Sequence, residues 1–151
     1  MYEYRAYVVK VIDGDTVDVD IDLCFGVMLK DERVRIMGID TPESRTSDRV
    51  EDLFGEAAKA RLKQILGDEC ILKTQVNKHG EDMKGKFGRI LGDFIAQDGR
   101  MITEIMTQEG HCVPYFGGSK EDTQAAHAVN RERLLNEGIV SREDYDAAIK
   151  K

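Results

Sequence analysis

The stretch Thr16-Val-Asp-Val-Asp-Ile-Asp-Leu23 alternates strictly between apolar and acidic residues after its first threonine. Side chains of a β-strand point alternately to opposite faces, so this pattern predicts a half-buried antiparallel strand with its aspartates outside. Residues 6–12 and 33–39 are apolar enough to form strands before and after it. The first ends at Asp13-Gly14, and the second is stopped by Pro42, which lacks the N–H that strand pairing needs.

Beyond Pro42 the sequence mixes helical and strand patterns. Apolar residues at helical spacing predict a helix over residues 50–66, closed by Gly67-Asp68. Further strands are predicted at 69–76 and 87–96, and further helices at 101–109, 121–136 and 142–150. Ser141 and Asp144 have the spacing of a capping box for the last helix. This order predicts an α+β fold, namely a five-stranded antiparallel OB-fold β-barrel with three main helices and a short extra C-terminal helix.

The composition limits the class of protein. The chain has 151 residues, of which 41% are hydrophobic and 34% charged, as in an ordinary globular domain. No apolar run approaches the ~18 residues of a membrane span, and the N-terminal residues lack the apolar core of an export signal. From the sequence we therefore expect a cytoplasmic protein without a membrane partner.

The charge is unevenly distributed. A net charge of −7 argues against a non-specific nucleic-acid binder, because such proteins usually present a basic surface. Residues 13–32 are rich in carboxylates, whereas residues 73–89 carry four lysines, an arginine and a histidine. The second stretch is either a local track for phosphates or a solvated loop, and charge alone leaves both interpretations open.

The cysteines and histidines show no metal-binding pattern. The chain has three cysteines, Cys24, Cys70 and Cys112. Each lies beside apolar or strand-like residues, so we expect buried, unreactive thiols in a reducing compartment. His111 is poorly placed to act as a base for Cys112, because neighbours along a strand point to opposite faces. The other two histidines, His79 and His127, are expected to face solvent.

Three polar motifs lie at or near the ends of predicted strands: Asp13-Gly-Asp-Thr16, Arg35-Ile-Met-Gly-Ile-Asp-Thr-Pro-Glu43 and Lys86-Phe-Gly-Arg89. A fold can bring such ends together. Carboxylates suit a hard cation such as Ca²⁺, and two arginines suit a phosphate whose negative charge rises during a reaction. A remaining carboxylate could activate a water molecule. Together these groups fit metal-assisted hydrolysis of a phosphodiester.

Each motif also has a purely structural interpretation. Asp13-Gly14-Asp15 is a common tight turn, and Asp40-Thr-Pro-Glu43 is a common turn or helix-entry signal. Arg35 would then pair with a surface carboxylate. An EF-hand is excluded, because loops counted from Asp13 or Asp18 lack the glutamate needed at the twelfth position. Taken one at a time, these structural interpretations are the commoner ones.

Taken in order, however, the motifs resemble the staphylococcal nuclease (thermonuclease) family. The resemblance runs over roughly residues 6–137 and consists of five blocks in the family's order: Val-Ile-Asp-Gly-Asp-Thr-Val, Arg-x-x-x-Ile-Asp-Thr-Pro-Glu, Phe-Gly-Glu-Ala-Ala, Lys-Phe-Gly-Arg and Asp-Gly-Arg-Met-Ile. One block would be weak evidence, but the ordered set outweighs the structural interpretations. The resemblance implies an OB-fold nuclease domain over residues 1–138, with residues 139–151 as a C-terminal helical extension of that domain.

The resemblance also implies an activity, namely Ca²⁺-dependent hydrolysis of phosphodiester bonds in DNA and/or RNA that leaves 3′-phosphate ends. Asp15 and Asp40 match the carboxylates that bind calcium, and Thr41 matches a ligand that acts through its backbone carbonyl. Asp13 matches a carboxylate near the metal. Glu43 matches the general base that activates the attacking water.

The substrate positions follow from the same resemblance. Arg35 and Arg89 match the guanidiniums that bind the scissile phosphate and stabilise its added charge. Lys86, Phe87 and Tyr115 fall at or near substrate-contacting positions, Tyr115 only after a small shift of the alignment. Phe87 stands where the family has a tyrosine, and the missing hydroxyl predicts reduced activity. We expect a monomer whose partner is DNA or RNA.

One further departure from the family pattern and two alternative functions have to be considered. A few extra residues around Cys24–Met28 are expected to extend a hairpin at the rim of the site. One alternative is a weak or inactive nuclease-like module, although such modules usually lose an arginine or the glutamate, and Arg35, Glu43 and Arg89 are all present. The other is an OB-type binding domain, which usually interleaves aromatic and basic residues, whereas aromatics make up only 7% of this chain.

Overall fold

The computed structural model describes residues 2–44, 46–75, 88–115 and 120–150. The elements in these ranges are, in chain order, β1 (Glu3–Asp13), β2 (Thr16–Asp22), β3 (Met28–Ile36), β4 (Ile39–Asp40), α1 (Arg49–Leu66), β5 (Glu69–Thr74), β6 (Ile90–Ile95), α2 (Ile102–Gln108), β7 (Val113–Pro114), α3 (Lys120–Asn136) and α4 (Arg142–Ile149). Most bounds lie close to the predicted ones. The main differences are that β1 begins at Glu3 rather than residue 6, and β3 begins at Met28 rather than residue 33.

Within the described residues, five strands form a closed barrel in the order β1-β2-β3-β6-β5. This confirms the predicted five-stranded barrel. The prediction that it is antiparallel throughout is wrong, because β3 and β6 pair in parallel, with Val34 opposite Ile90 and Arg35 opposite Leu91. The reason is one of parity: a closed ring with an odd number of strands cannot reverse direction at every neighbour, so at least one pair must be parallel.

The alternation in β2 has the predicted consequence. Val17, Val19 and Ile21 are at most 2% exposed and pack inside the barrel, whereas the aspartates between them are partly exposed. Phe94 from β6 and Leu72 from β5 are fully buried in the same core. Burying a large apolar side chain contributes about 1.5–3 kcal/mol, so the barrel interior is the main source of stability.

Helix α1 connects the barrel to the C-terminal helices. It begins after Asp48, whose side chain accepts hydrogen bonds from two backbone N–H groups of the first turn. Leu62 packs into the barrel core, whereas Phe54 packs against Leu134 of α3 and, edge to face at 6.1 Å between ring centres, against Tyr145 of α4. None of the helices within the described ranges has both the length and the apolar character needed to cross a membrane.

A second, two-stranded sheet lies outside the barrel. Its strands β4 and β7 pair Ile39 with Pro114 and Asp40 with Val113, and the backbone N–H of Tyr115 donates to the carbonyl of Gly38 at 2.9 Å. This sheet was not predicted, because two-residue strands are too short to show a period of two. The pairing holds residues 113–115 beside Asp40.

The hairpin between β2 and β3 turns far from the motifs. Thr16 pairs with Arg35 at one end of the two strands, and Asp22 pairs with Met28 at the other. At about 3.3 Å per residue, the turn is roughly 20 Å from Thr16. The β2–β3 hairpin is present, but the prediction that it lies at the rim of the site is therefore wrong. The turn itself projects into solvent, with Phe25 fully exposed and in a left-handed conformation.

The cysteines are buried in two of three cases. Cys24 lies in that turn and is exposed, so its predicted burial is wrong. Cys70 and Cys112 are buried, as predicted, and burial raises the pKa of their thiols to about 12 and about 11. Neutral thiols are poor nucleophiles, and the Cys112 sulfur lies 3.2 Å from the Thr107 hydroxyl, so it does not form a thiol–imidazole pair with His111.

His111 makes stability depend on pH. Its side chain is only 3% exposed, and burial lowers the pKa of the imidazole. The unfolded chain has the higher pKa, about 6.5, so the folded state favours the neutral imidazole. The associated stabilisation is complete above about pH 6.5 and decreases as the pH falls through that value towards the lower pKa of the folded state.

We expect the free energy of unfolding, measured in urea at about pH 8 and about pH 5, to fall more steeply in the wild type than in His111→Gln. The glutamine variant keeps every other titrating group, so the difference between the two pH dependences reports His111 alone. Equal slopes in the two proteins would contradict the assignment of a buried, neutral imidazole.

Candidate active site

The tight turn between β1 and β2 brings Asp15 against the segment after β4. Gly14 allows this approach, since a Cβ at this position would lie 2.8 Å from the Ala58 Cβ of α1 and 3.0 Å from a Thr41 methyl. As a result Asp15 Oδ2 accepts a hydrogen bond from the Thr41 backbone N–H at 3.4 Å. Asp15 therefore contacts the residue directly after Asp40, and the two predicted metal carboxylates belong to one neighbourhood.

Arg35 lies on β3 beside this pair of segments. Its guanidinium donates to the backbone carbonyl of Ile39 at 2.9 Å and to that of Ile36, and its Nη2 lies 3.4 Å from Asp15 Oδ2. The Arg35 side chain is only 18% exposed. Backbone carbonyls thus fix the orientation of the guanidinium before any ligand binds, which is the arrangement that stabilises a developing charge most effectively.

Arg35 and Arg89 share one groove. The parallel pairing of Val34 with Ile90 places Arg89, the residue directly before β6, next to β3. Both arginines line a groove of about 1210 Å³, whose wall also includes Met37, Leu91 and Tyr115. The predicted phosphate-binding pair is therefore brought together, with an apolar surface beside it.

Arg89 also faces the other side of the turn. A smaller cavity of about 580 Å³ is lined by Arg89 together with Asp13, Thr16 and neighbouring residues. Arg89 thus stands between the larger groove and the β1–β2 turn. This position keeps its positive charge close to the acidic motif as well as to the groove.

Glu43 is exposed, and its position is set by the residue after it. The Ser44 hydroxyl donates to Asp13 Oδ1, and the Ser44 backbone N–H donates to the same oxygen at 3.3 Å. The Glu43 backbone N–H lies 3.4 Å from Glu51 Oε1 of α1. Asp13, expected near the metal, therefore has a further role that its sequence motif did not indicate: it anchors the segment that carries Glu43.

Asp40 has a partner that the sequence interpretation missed. His127 Nε2 of α3 lies 2.9 Å from Asp40 Oδ2, and the His127 side chain is only 12% exposed. The expectation that His127 faces solvent is wrong. A signal was present, because His127, Asn130 and Leu134 are spaced at i, i+3 and i+7 and therefore share one face of the helix. His79 lies outside the described residues.

The oxygen donors fit a hard cation. Asp15 and Asp40 offer carboxylates, and Thr41 offers a backbone carbonyl; its own hydroxyl is buried and lacks a hydrogen-bond partner among the described residues. No three His, Cys, Asp or Glu side chains in the described part of the chain cluster as a metal site by themselves. A cation here would therefore depend on the two carboxylates, the carbonyl and water, a combination that Ca²⁺ accepts because its coordination is flexible.

Of the remaining predicted substrate residues, Tyr115 lies within the described residues. Tyr115 lines the groove and is 41% exposed, so its ring is accessible from the groove. Lys86 and Phe87 lie outside the described residues.

The fold and the site together define an OB-type barrel protein with paired arginines beside two aspartates. The family described as "Staphylococcal nuclease homologue" matches residues 33–138. Because this match covers more than half of the 151 residues, the chain belongs to the staphylococcal nuclease family.

Individual relatives agree with this assignment. Endonuclease YncB of Bacillus subtilis is 30% identical over 150 residues, which cover 93% of this chain and 66% of that protein. Thermonuclease of Staphylococcus intermedius is 32% identical over 107 residues, covering 70% of this chain and 57% of the relative. Endonuclease YhcR of Bacillus subtilis is 28% identical over 121 residues, covering 76% of this chain but only 9% of the relative. The chain thus spans less than two thirds of each of these proteins.

Gly55 allows helix α1 to pack closely against the backbone of Glu43 and Ser44. A Cβ at Gly55 would lie 2.3 Å from the Glu43 carbonyl oxygen and 2.7 Å from the Ser44 backbone nitrogen. Helix propensity alone would make Gly55→Ala stabilising by about 1 kcal/mol. The overlap with rigid backbone predicts the opposite sign, a loss of about 1–3 kcal/mol in the free energy of unfolding.

Urea unfolding of Gly55→Ala tests this sign. The matched control is Ala60→Gly at an exposed position of the same helix, where only the propensity difference of about 1 kcal/mol should appear. A stabilised Gly55→Ala variant would show that Glu43 does not depend on this contact.

Proposed function

We propose that this protein is a Ca²⁺-dependent nuclease that hydrolyses phosphodiester bonds in DNA and/or RNA and leaves 3′-phosphate ends. The observation that carries the proposal is the position of Arg35. Its guanidinium contacts the Asp15 carboxylate and also lines the groove shared with Arg89. A phosphate in that groove would therefore lie between the positive charges of the two arginines and the oxygen donors of a cation site.

The two arginines would bind and polarise the phosphate. During attack on phosphorus, negative charge accumulates on the non-bridging oxygens, and guanidinium N–H groups can donate to two such oxygens at once. Arg35 is preoriented by the carbonyls of Ile36 and Ile39, so little reorganisation is needed when this charge develops. Arg89, next to the neighbouring strand β6, would bind the same phosphate from the other side.

The oxygen donors Asp15, Asp40 and Thr41 would hold the calcium ion. When bound, Ca²⁺ would neutralise phosphate charge and acidify water. Glu43 is exposed, so its carboxylate would be free to take the proton of the attacking water. The new P–O bond would form as the bond to the 5′ oxygen breaks, which leaves the phosphate on the 3′ side. The departing 5′ oxygen would take a proton from solvent and become a hydroxyl.

The groove beside the arginines would accommodate the rest of the nucleotide. Its wall includes Leu91, Met37 and the accessible ring of Tyr115, surfaces against which a base or sugar can pack. We include Lys86 and Phe87 in the proposed substrate contacts on sequence grounds. A net charge of −7 makes this local positive site, rather than overall charge, the source of affinity for a polyanion.

Removing one guanidinium tests the role of the groove. Arg89→Ala should lower cleavage of a fluorescent oligonucleotide by about 10³-fold or more, the range seen for transition-state arginines in phosphoryl transfer. Arg89→Lys should recover little, because a lysine cannot donate two parallel hydrogen bonds. The control is Arg33→Ala on β3. Because the Arg33 guanidinium already pairs with Asp18 at 2.8 Å, this substitution should change the cleavage rate by less than about threefold.

The activity itself is tested with purified protein on single-stranded DNA, double-stranded DNA and RNA, each with Ca²⁺, Mg²⁺, Mn²⁺ or a chelator. We expect cleavage with Ca²⁺, product ends that a 3′-phosphatase converts to 3′ hydroxyls, and loss of cleavage in Glu43→Gln. Binding of the same oligonucleotides without any cleavage would instead favour a catalytically inactive nuclease-like module.

A further inference from the structure

We infer that His127 is a positioning residue for the cation site, acting through Asp40; this inference rests on the proposed calcium-binding role of Asp40. The contact is direct, with 2.9 Å between His127 Nε2 and Asp40 Oδ2. An ionised carboxylate oxygen can only accept a hydrogen bond, so the imidazole must donate through Nε2–H. This bond occupies one oxygen of the Asp40 carboxylate, so the other oxygen would be the one to bind a cation.

Asp40 needs such a partner. Its backbone is fixed by pairing with Val113, but its side chain is 37% exposed, and an exposed carboxylate is free to rotate. Among the described residues, the hydrogen bond from His127 is the contact that fixes the orientation of this carboxylate. Restricting a ligand before the cation arrives reduces the ordering cost of binding.

His127 is itself held firmly. It lies on the buried face of α3, at i and i+3 with Asn130, which donates to the Cys112 carbonyl at 3.2 Å. One turn further along, Leu134 packs against Phe54 of α1. Helix α3 is therefore held by contacts other than that of His127, and the imidazole can serve as a rigid support rather than as a mobile surface group.

The alternative of a direct metal–imidazole bond is disfavoured by chemistry. Hard cations that prefer oxygen ligands bind imidazole nitrogen poorly. His127 therefore belongs to the layer of groups that orient the ligands, in which substitutions typically cost about 10–100-fold in metal affinity.

The test measures calcium affinity directly, by following backbone amide signals in two-dimensional NMR during a Ca²⁺ titration at one fixed pH. His127→Leu introduces a side chain of similar size that has no hydrogen-bond donor, and it should weaken binding by about 10–100-fold. His127→Gln places an amide N–H close to the original Nε2 position and should bind within about threefold of the wild type. The NMR spectra also show whether each variant remains folded.

Two controls separate this inference from helix docking and from the proposed function. Asn130→Ala removes a different anchor of α3 and should leave calcium affinity within about threefold of the wild type. If the wild type binds Ca²⁺ and Asp40→Asn does not, but His127→Leu binds normally, the role of His127 is refuted while the metal site stands. Equal weakening by Asn130→Ala and His127→Leu would also refute it, since both would then act through the helix. If the wild type does not bind Ca²⁺, the proposed metal site fails, and the inference fails with it.

Discussion

The parallel pairing of β3 with β6 is the contact on which the rest of the molecule depends. It closes the barrel, because five strands cannot form a ring in which every neighbour is antiparallel. The same pairing places Arg89 beside the strand of Arg35, although the two are far apart in sequence. Closure of the core and assembly of the groove are therefore one event. The slow step of such a fold is expected to be this long-range pairing, since loop-closure entropy must be overcome before the contact is gained.

Much of the barrel could be predicted from local patterns. The alternation of Val17, Val19 and Ile21 identified β2 and its buried face, because one face is packed and the other wet. The direction of the β3–β6 pair did not follow from any local pattern, since it is a property of the closed ring. The two-residue strands β4 and β7 were also invisible, as their pairing is imposed by tertiary contacts rather than by a repeating pattern. The predicted monomeric state and the division at residue 138 stay predictions.

The candidate site shows the same division between local and long-range information. The motifs around Asp15 and Arg35 correctly predicted two groups that contact each other in the fold. Each motif lies at or near the end of a strand, and these strand ends meet. The contribution of α3 was missed. The spacing of His127, Asn130 and Leu134 indicates a shared helix face, but only the position of the helix in the fold shows that Asp40 is the partner of His127. Asp13 was underestimated in a similar way, since its hydrogen bonds reach Ser44 across more than thirty residues of sequence.

The turn of the β2–β3 hairpin offers a place for chemical labelling at the end of the strands opposite Arg35. Its turn carries the exposed Cys24 and Phe25, whereas the opposite end of the same strands carries Arg35 in register with Thr16. Residues can therefore be added to or removed from the turn without moving the register that holds the guanidinium. Because the other two thiols are buried, a maleimide dye would attach at Cys24 and report on tumbling or surface immobilisation while leaving the groove unobstructed.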